Sequence, residues 1–100
     1  MKVKRYKGSI VPMTTEVVNI DGKEATVISY GQHDNQKRLH GLGIRMRIWA
    51  EKGIDIWEGQ YKRDELHGIA RWISLQWAGD FDIYFGGWKD SCMDGQGKLI

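Results

Sequence analysis

The sequence predicts an all-β fold, an antiparallel meander of β-hairpins laid out as a single open, elongated and twisted sheet. Three observations lead there. The tetrapeptides HGLG, HGIA and DGQG begin at positions 40, 67 and 94, a constant step of 27, and a fixed period in that range marks a repeat architecture. Within a unit the pattern alternates with a period of two: Trp57, Gly59 and Tyr61 share one side of an extended segment, and Glu58, Gln60 and Lys62 share the other. Thirteen glycines stand against one proline, and a glycine inside an apolar segment costs a helix about 1 kcal/mol.

Taken in order, the expected strands cover 15–20, 24–33, 39–50, 54–62, 66–77, 81–89 and 94–100. The first two are joined by Asp21-Gly22, a strong two-residue hairpin signal. Polar clusters follow at Asp34 to Arg38, Glu51 to Gly53, Lys62 to Glu65, Ala78 to Asp80 and Lys89 to Cys92. Every connection is short, which makes neighbouring strands antiparallel. Gly68, Ala70 and Trp72 share a side of one strand, as Gly95, Gly97 and Leu99 do in the last. Rings and small residues then alternate across the sheet, with Tyr61 expected between Gly43 and Gly68, Gly59 opposite Ala70, and Trp88 between Ala70 and Gly95. Glycine has no side chain to hold a ring off, so an aromatic can lie flat across the neighbouring strand.

Composition bounds the remaining possibilities. One hundred residues make one domain with a modest core. Five tryptophans and four tyrosines argue against disorder, because disordered chains lack the apolar area to offset the entropy of folding. Fifteen Lys and Arg against 13 Asp and Glu is near balance, and a nucleic-acid partner is not expected. The only basic concentration is Lys2, Lys4, Arg5 and Lys7, read first as a solubilising terminus. A lone cysteine, Cys92, excludes an internal disulfide framework and suits a reducing compartment. With no long apolar run and no apolar stretch at the N-terminus, a cytoplasmic location is expected, with association to cytoskeleton or membrane left open.

The step of 27 aligns much more than the glycines. Tyr30, Trp57 and Tyr84 fall in register, as do Leu39, Leu66 and Met93, while Gly59 matches Gly86 and Tyr61 matches Trp88. WEGQYKRDELHGIARW and YFGGWKDSCMDGQGKL resemble MORN repeats, whose pattern runs aromatic, any residue, Gly, any residue, aromatic, five variable residues, then His-Gly, any residue, Gly. Trp57, Gly59, Tyr61, His67 and Gly68 fill that pattern, with Ala70 in the last place. Tyr84, Gly86, Trp88, Gly95 and Gly97 fill it again, with Asp94 in place of His. The first unit keeps Tyr30, His40, Gly41 and Gly43 but has Gln32 and Asp34 where Gly and an aromatic belong. On this reading residues 1–27 are a basic tail and the start of a hairpin, and 28–54, 55–81 and 82–100 are three repeats, the first degenerate. The resemblance implies a non-catalytic module that presents its sheet to a partner or to another copy, as in cytoskeletal scaffolds and membrane-junction proteins, with phospholipid binding as a weaker association.

The residue types and their spacing agree with a non-enzyme. No nucleophile, base and orienting group stand together, since Cys92 falls in a turn and His33, His40 and His67 are scattered or periodic. His40 and His67 read as turn residues rather than metal ligands, Asp80 and Asp82 flank a turn, and the glycines lie on strands with no following helix to make a phosphate loop. No catalytic residue, metal site or cofactor is expected. The expected contact surface is an aromatic face of Trp57, Tyr61, Trp72, Tyr84 and Trp88, which an open sheet leaves partly uncovered. The reverse face, carrying Glu58, Gln60, Lys62, Arg71, Lys89, Gln96 and Lys98, is expected to be wet and mixed in charge. The last strand is a second candidate surface, because an unpaired edge templates another chain. A peripheral membrane or phosphoinositide-binding module, using Lys2, Lys4, Arg5 and Lys7 with Lys62, Arg63 and Lys89, is the alternative.

Overall fold

The computed structural model describes residues 10–99, which form one antiparallel sheet. Its seven strands are β1 (Ile10–Ile20), β2 (Lys23–His33), β3 (Leu39–Trp49), β4 (Gly53–Lys62), β5 (Glu65–Gln76), β6 (Phe81–Lys89) and β7 (Cys92–Leu99). They lie side by side in chain order. Each strand pairs with its sequence neighbours and the sheet does not close into a barrel, so this is the open meander that the alternating pattern predicts. The first strand starts at Ile10, earlier than the expected 15. Lys2, Lys4, Arg5 and Lys7 lie outside the described residues.

Local chemistry explains the tight turns. Asp21-Gly22, Arg63-Asp64 and Asp90-Ser91 all have positive φ at both central positions, the type I′ geometry whose twist matches that of the flanking strands. At the longer β2–β3 connection the Asp34 carboxylate accepts the backbone N–H groups of Gln36 and Arg38 and the Arg38 guanidinium. These bonds, the Arg38 amide first, hold the Asp34 carboxyl below its ordinary 3.8 against an opposing desolvation effect.

The register departs from expectation on both sides of each ring. Tyr61 pairs with Gly41 on one side and Leu66 on the other, and Trp88 with Gly68 and Met93. Gly59 pairs with Ala70 as expected. On the β4–β5 and β6–β7 sides the cause is a bulge, which recurs at His40-Gly41-Leu42, His67-Gly68-Ile69 and Asp94-Gly95-Gln96, where the register shifts and each central glycine has positive φ. The β3–β4 and β5–β6 ladders run without a shift, their turns centred one residue earlier than expected. Gly31, Gly43, Gly59, Ala70, Gly86 and Gly97 instead meet one another directly, in an unbroken row of small residues across the sheet. Rings still lean over this row. Tyr61 Cδ2 sits 3.3 Å from where a Gly43 Cβ would be, and Trp88 Nε1–H donates to the Ala70 carbonyl at 3.1 Å.

Consecutive hairpins are locked by their turns. Leu39 N–H donates to Asp64 Oδ1 at 2.7 Å while Asp64 N–H donates to the Leu39 carbonyl at 2.8 Å. One step of 27 later, Leu66 N–H donates to Ser91 Oγ and Ser91 N–H to the Leu66 carbonyl. His40 Nδ1 accepts the Arg63 N–H, the turn role expected of that histidine. At the opposite margin the Trp77 indole donates to the Trp49 and Ala50 carbonyls, tying the β5–β6 turn to the β3–β4 turn.

Candidate interaction surface

Strand parity divides the side chains between two faces. The aromatic face holds the buried cluster of Leu39, Tyr61, Leu66, Ala70, Tyr84 and Trp88, with Trp57 and Trp72 packed against it. Of the rings expected as a contact surface, Tyr61 and Trp88 keep only 5% and 6% of their area exposed, Tyr84 is likewise buried, and Trp57 and Trp72 are half-buried. They are the sheet's own core, and burial pushes the Tyr61 phenol well above its ordinary range. Its O–H donates to the Trp57 carbonyl at 2.8 Å. Tyr84 and Trp88 meet edge to face with centroids 5.4 Å apart.

Polar groups on this face are consumed by the same packing. Arg45 stacks on Tyr61 and donates to Ser29 Oγ and to both the carbonyl and carboxylate of Asp64. Arg47 lies over the rings of Trp49 and Trp57, and the Asp55 carboxylate accepts both the Trp49 and the Trp72 indole N–H.

The reverse face carries the expected charged residues, exposed as expected where described, but its larger part is apolar. Glu58, Gln60 and Arg71 are there, but they are embedded in an aliphatic field. Ile28, Met46, Ile56, Ile73 and Ile83 face one another in an unbroken cross-sheet row. A parallel row runs through Ile48, Ile54, Leu75 and Phe81, and another through Tyr30, Ile44, Glu58, Arg71 and Phe85. Among the described residues no second layer covers this face. Tyr30, Ile69 and Phe85 are 49%, 51% and 56% exposed. A concavity of about 710 Å³ opens between them, floored by the small-residue row. The alternation carries the signal for this face, because the even positions of β3 and β4 and the odd positions of β5 are rich in isoleucine.

The polar groups of the alternative reading fall elsewhere. Lys62 and Arg63 lie at the β4–β5 turn and Lys89 at the matching end of β6, all exposed on one margin. Cys92 is exposed at the start of β7. His67 Nδ1 stands 3.9 Å from Asp90 Oδ1, beside a turn. Among the described residues no group of His, Cys, Asp and Glu is placed to hold a metal ion, and no helix is long and apolar enough to cross a membrane. No family model matches the chain, and neither the curated proteins nor the solved structures contain a significant match to it.

Proposed function

We propose that this chain is a non-catalytic interaction module of the MORN type, working in the cytoplasm by presenting one face of its sheet to a protein. The observation that carries the reading is the aliphatic face. Soluble monomers rarely expose a contiguous apolar patch beyond a few hundred Å² unless it is an interaction site. Here the described chain offers such a patch on a scaffold whose other face is already packed. The contact surface is therefore assigned to the rows of Ile28, Ile56 and Phe85 rather than to the buried rings. The non-catalytic reading is supported by the engagement of Asp64 and His40 at turns, of Asp55 with two indoles and of Glu58 with Arg71.

The test is capture on the immobilised chain at high salt, wild type against Ile73→Lys. Ile73 is half-buried at the centre of the aliphatic face, and a lysine there can keep its stem on the sheet and its charge in water. Proteins held by the wild type and lost by the variant are the expected result; equal retention by both would reject this face as the contact surface.

The exposed Lys62, Arg63 and Lys89 on one margin support a second reading, attachment to anionic membranes. It requires pelleting with anionic vesicles that declines steeply with salt and is lost on replacing these cations with alanine, Ile73→Lys leaving it intact.

A further inference from the structure

We propose that the aliphatic face is where two copies of this chain pack, sheet against sheet, about a twofold axis running along the β4–β5 seam. The inference rests on the interaction-module reading and names the occupant of its surface. Such an axis exchanges β4 with β5 and β3 with β6 while leaving each cross-sheet row opposite itself, which is an isologous contact.

The register then fixes which side chains meet. Ile56 lies over the partner's Ile73, Met46 over the partner's Ile83, Ile54 over the partner's Leu75, and Ile48 over the partner's Phe81. Branched aliphatic residues of this kind fill the space between aligned sheets about 10 Å apart. Phe85, more than half exposed, comes opposite Ile44 and enters the concavity that Ile44 helps to line. Leu42 comes opposite Gly87, which has no side chain to obstruct it.

Charge selects a second copy over another apolar partner. Glu58 and Arg71 are directly opposed across the seam and ion-paired at 2.9 Å within one chain. The twofold axis puts Glu58 against the partner's Arg71 and Arg71 against the partner's Glu58, so an alternating cluster of charges closes in place of two pairs left under an apolar cover. The size also agrees. The part of the face that this axis lays on itself, β3 to β6 over four rows, measures about 19 Å by 27 Å, roughly 520 Å² in flat projection, from ordinary strand and residue spacings, and β2 lies over the partner's β7 at each margin. Side-chain relief raises its accessible area toward the ~800 Å² per partner of a standard interface.

The experiment is sedimentation velocity across a concentration series, with far-UV circular dichroism to confirm the fold of each variant. Wild type is expected to sediment as a dimer, at twice 11.5 kDa. Glu58→Arg sets four positive charges together and Arg71→Glu four negative ones, so each alone should weaken dimerisation by about tenfold or more. Mixed in equal amounts, the two variants should dimerise again, because each supplies the charge the other lacks. An ion pair acting only within one chain cannot give that complementation. A wild type that stays monomeric overturns the dimer, and the capture comparison of Ile73→Lys then decides separately whether the interaction module survives. Single variants as dimeric as wild type, or an equal mixture that stays monomeric, would also overturn it, the former pointing to the β1 or β7 edge.

Discussion

At the scale of single residues, the repeated His-Gly pair has a specific physical task. A bulge leaves a backbone N–H without a strand partner, and a side chain supplies the missing acceptor. Gln60 Oε1 accepts the Ile69 N–H at 2.7 Å, and Gln32 Oε1 accepts the Leu42 N–H at 2.9 Å. The carboxamide lies where a Cβ on Gly68 or Gly41 would stand, and both glycines have positive φ, so the glycine and the glutamine form one device. Gln60→Ala is expected to lower unfolding free energy by about 1 kcal/mol, the net value of such a bond, whereas Gly68→Ala combines a clash with a strained φ and should cost about 2 kcal/mol or more. Urea denaturation measures both, and a Gly68→Ala protein as stable as wild type would remove the argument. Asp34 adds a pH effect. Its carboxyl is held below the ordinary value, so the stability it contributes is present above that value and disappears as pH falls through the lowered one. Amide exchange at Gln36 and Arg38 should accelerate only in that acid range. The glycines were legible in the sequence as packing devices, but their link to Gln32 and Gln60 was not, because the bond spans a strand pair whose register the bulge itself sets.

At the scale of elements, turn chemistry and alternation made β2 to β7 legible to within two residues, while the early start of β1, the centring of the two longer hairpin turns and the bulges escaped. Each bulge sets a four-residue step against a two-residue step, as Leu66 to Ala70 faces Gly59 to Tyr61. This keeps every side chain on its expected face while shifting its partner, so a period-of-two pattern does not reveal it. Turn docking was hidden for a related reason, since Asp64 and Leu39 lie 25 residues apart and carry no local signature of contact. Asp64→Ala removes the acceptor for Leu39 N–H, releases Arg45 and puts alanine at φ 72. It should destabilise by about 2 kcal/mol. Arg63, at φ 50, spends side-chain sterics on a left-handed conformation that glycine adopts freely. Arg63→Gly should therefore hold or raise stability by up to about 1 kcal/mol, as a relaxed turn offsets the added freedom of the unfolded chain. Opposite signs for neighbouring positions of one turn are the check. If both changes destabilise alike, the turn acts through mere rigidity and not through the docking bonds.

At the scale of the whole molecule, the sheet is nearly one-dimensional, because every strand forms its ladders only with its sequence neighbours. Stability in such a chain accumulates from neighbour contacts, and the ends fray first. Amide protection should rise from β1 and β7 toward β3, β4 and β5, where each strand is paired on both sides by well-registered partners. The second layer that ordinarily buries a sheet's outer face is missing from the described chain, and this couples stability to association. A partner that binds only the folded state stabilises it by mass action. Face-to-face pairing would therefore make the melting temperature climb with protein concentration, and Ile73→Lys, with a charge at the centre of the contact, should melt at the same temperature at every dilution. Hydrogen exchange of dilute wild type should then match that of the variant in the central strands, while concentrated wild type is slower. If the melting temperature of wild type does not move with concentration and its exchange does not slow, the single sheet is stable in its own right. The aliphatic face would then be held in water without a second copy, and the buried cluster around Tyr61 and Trp88 would have to supply all of the stability.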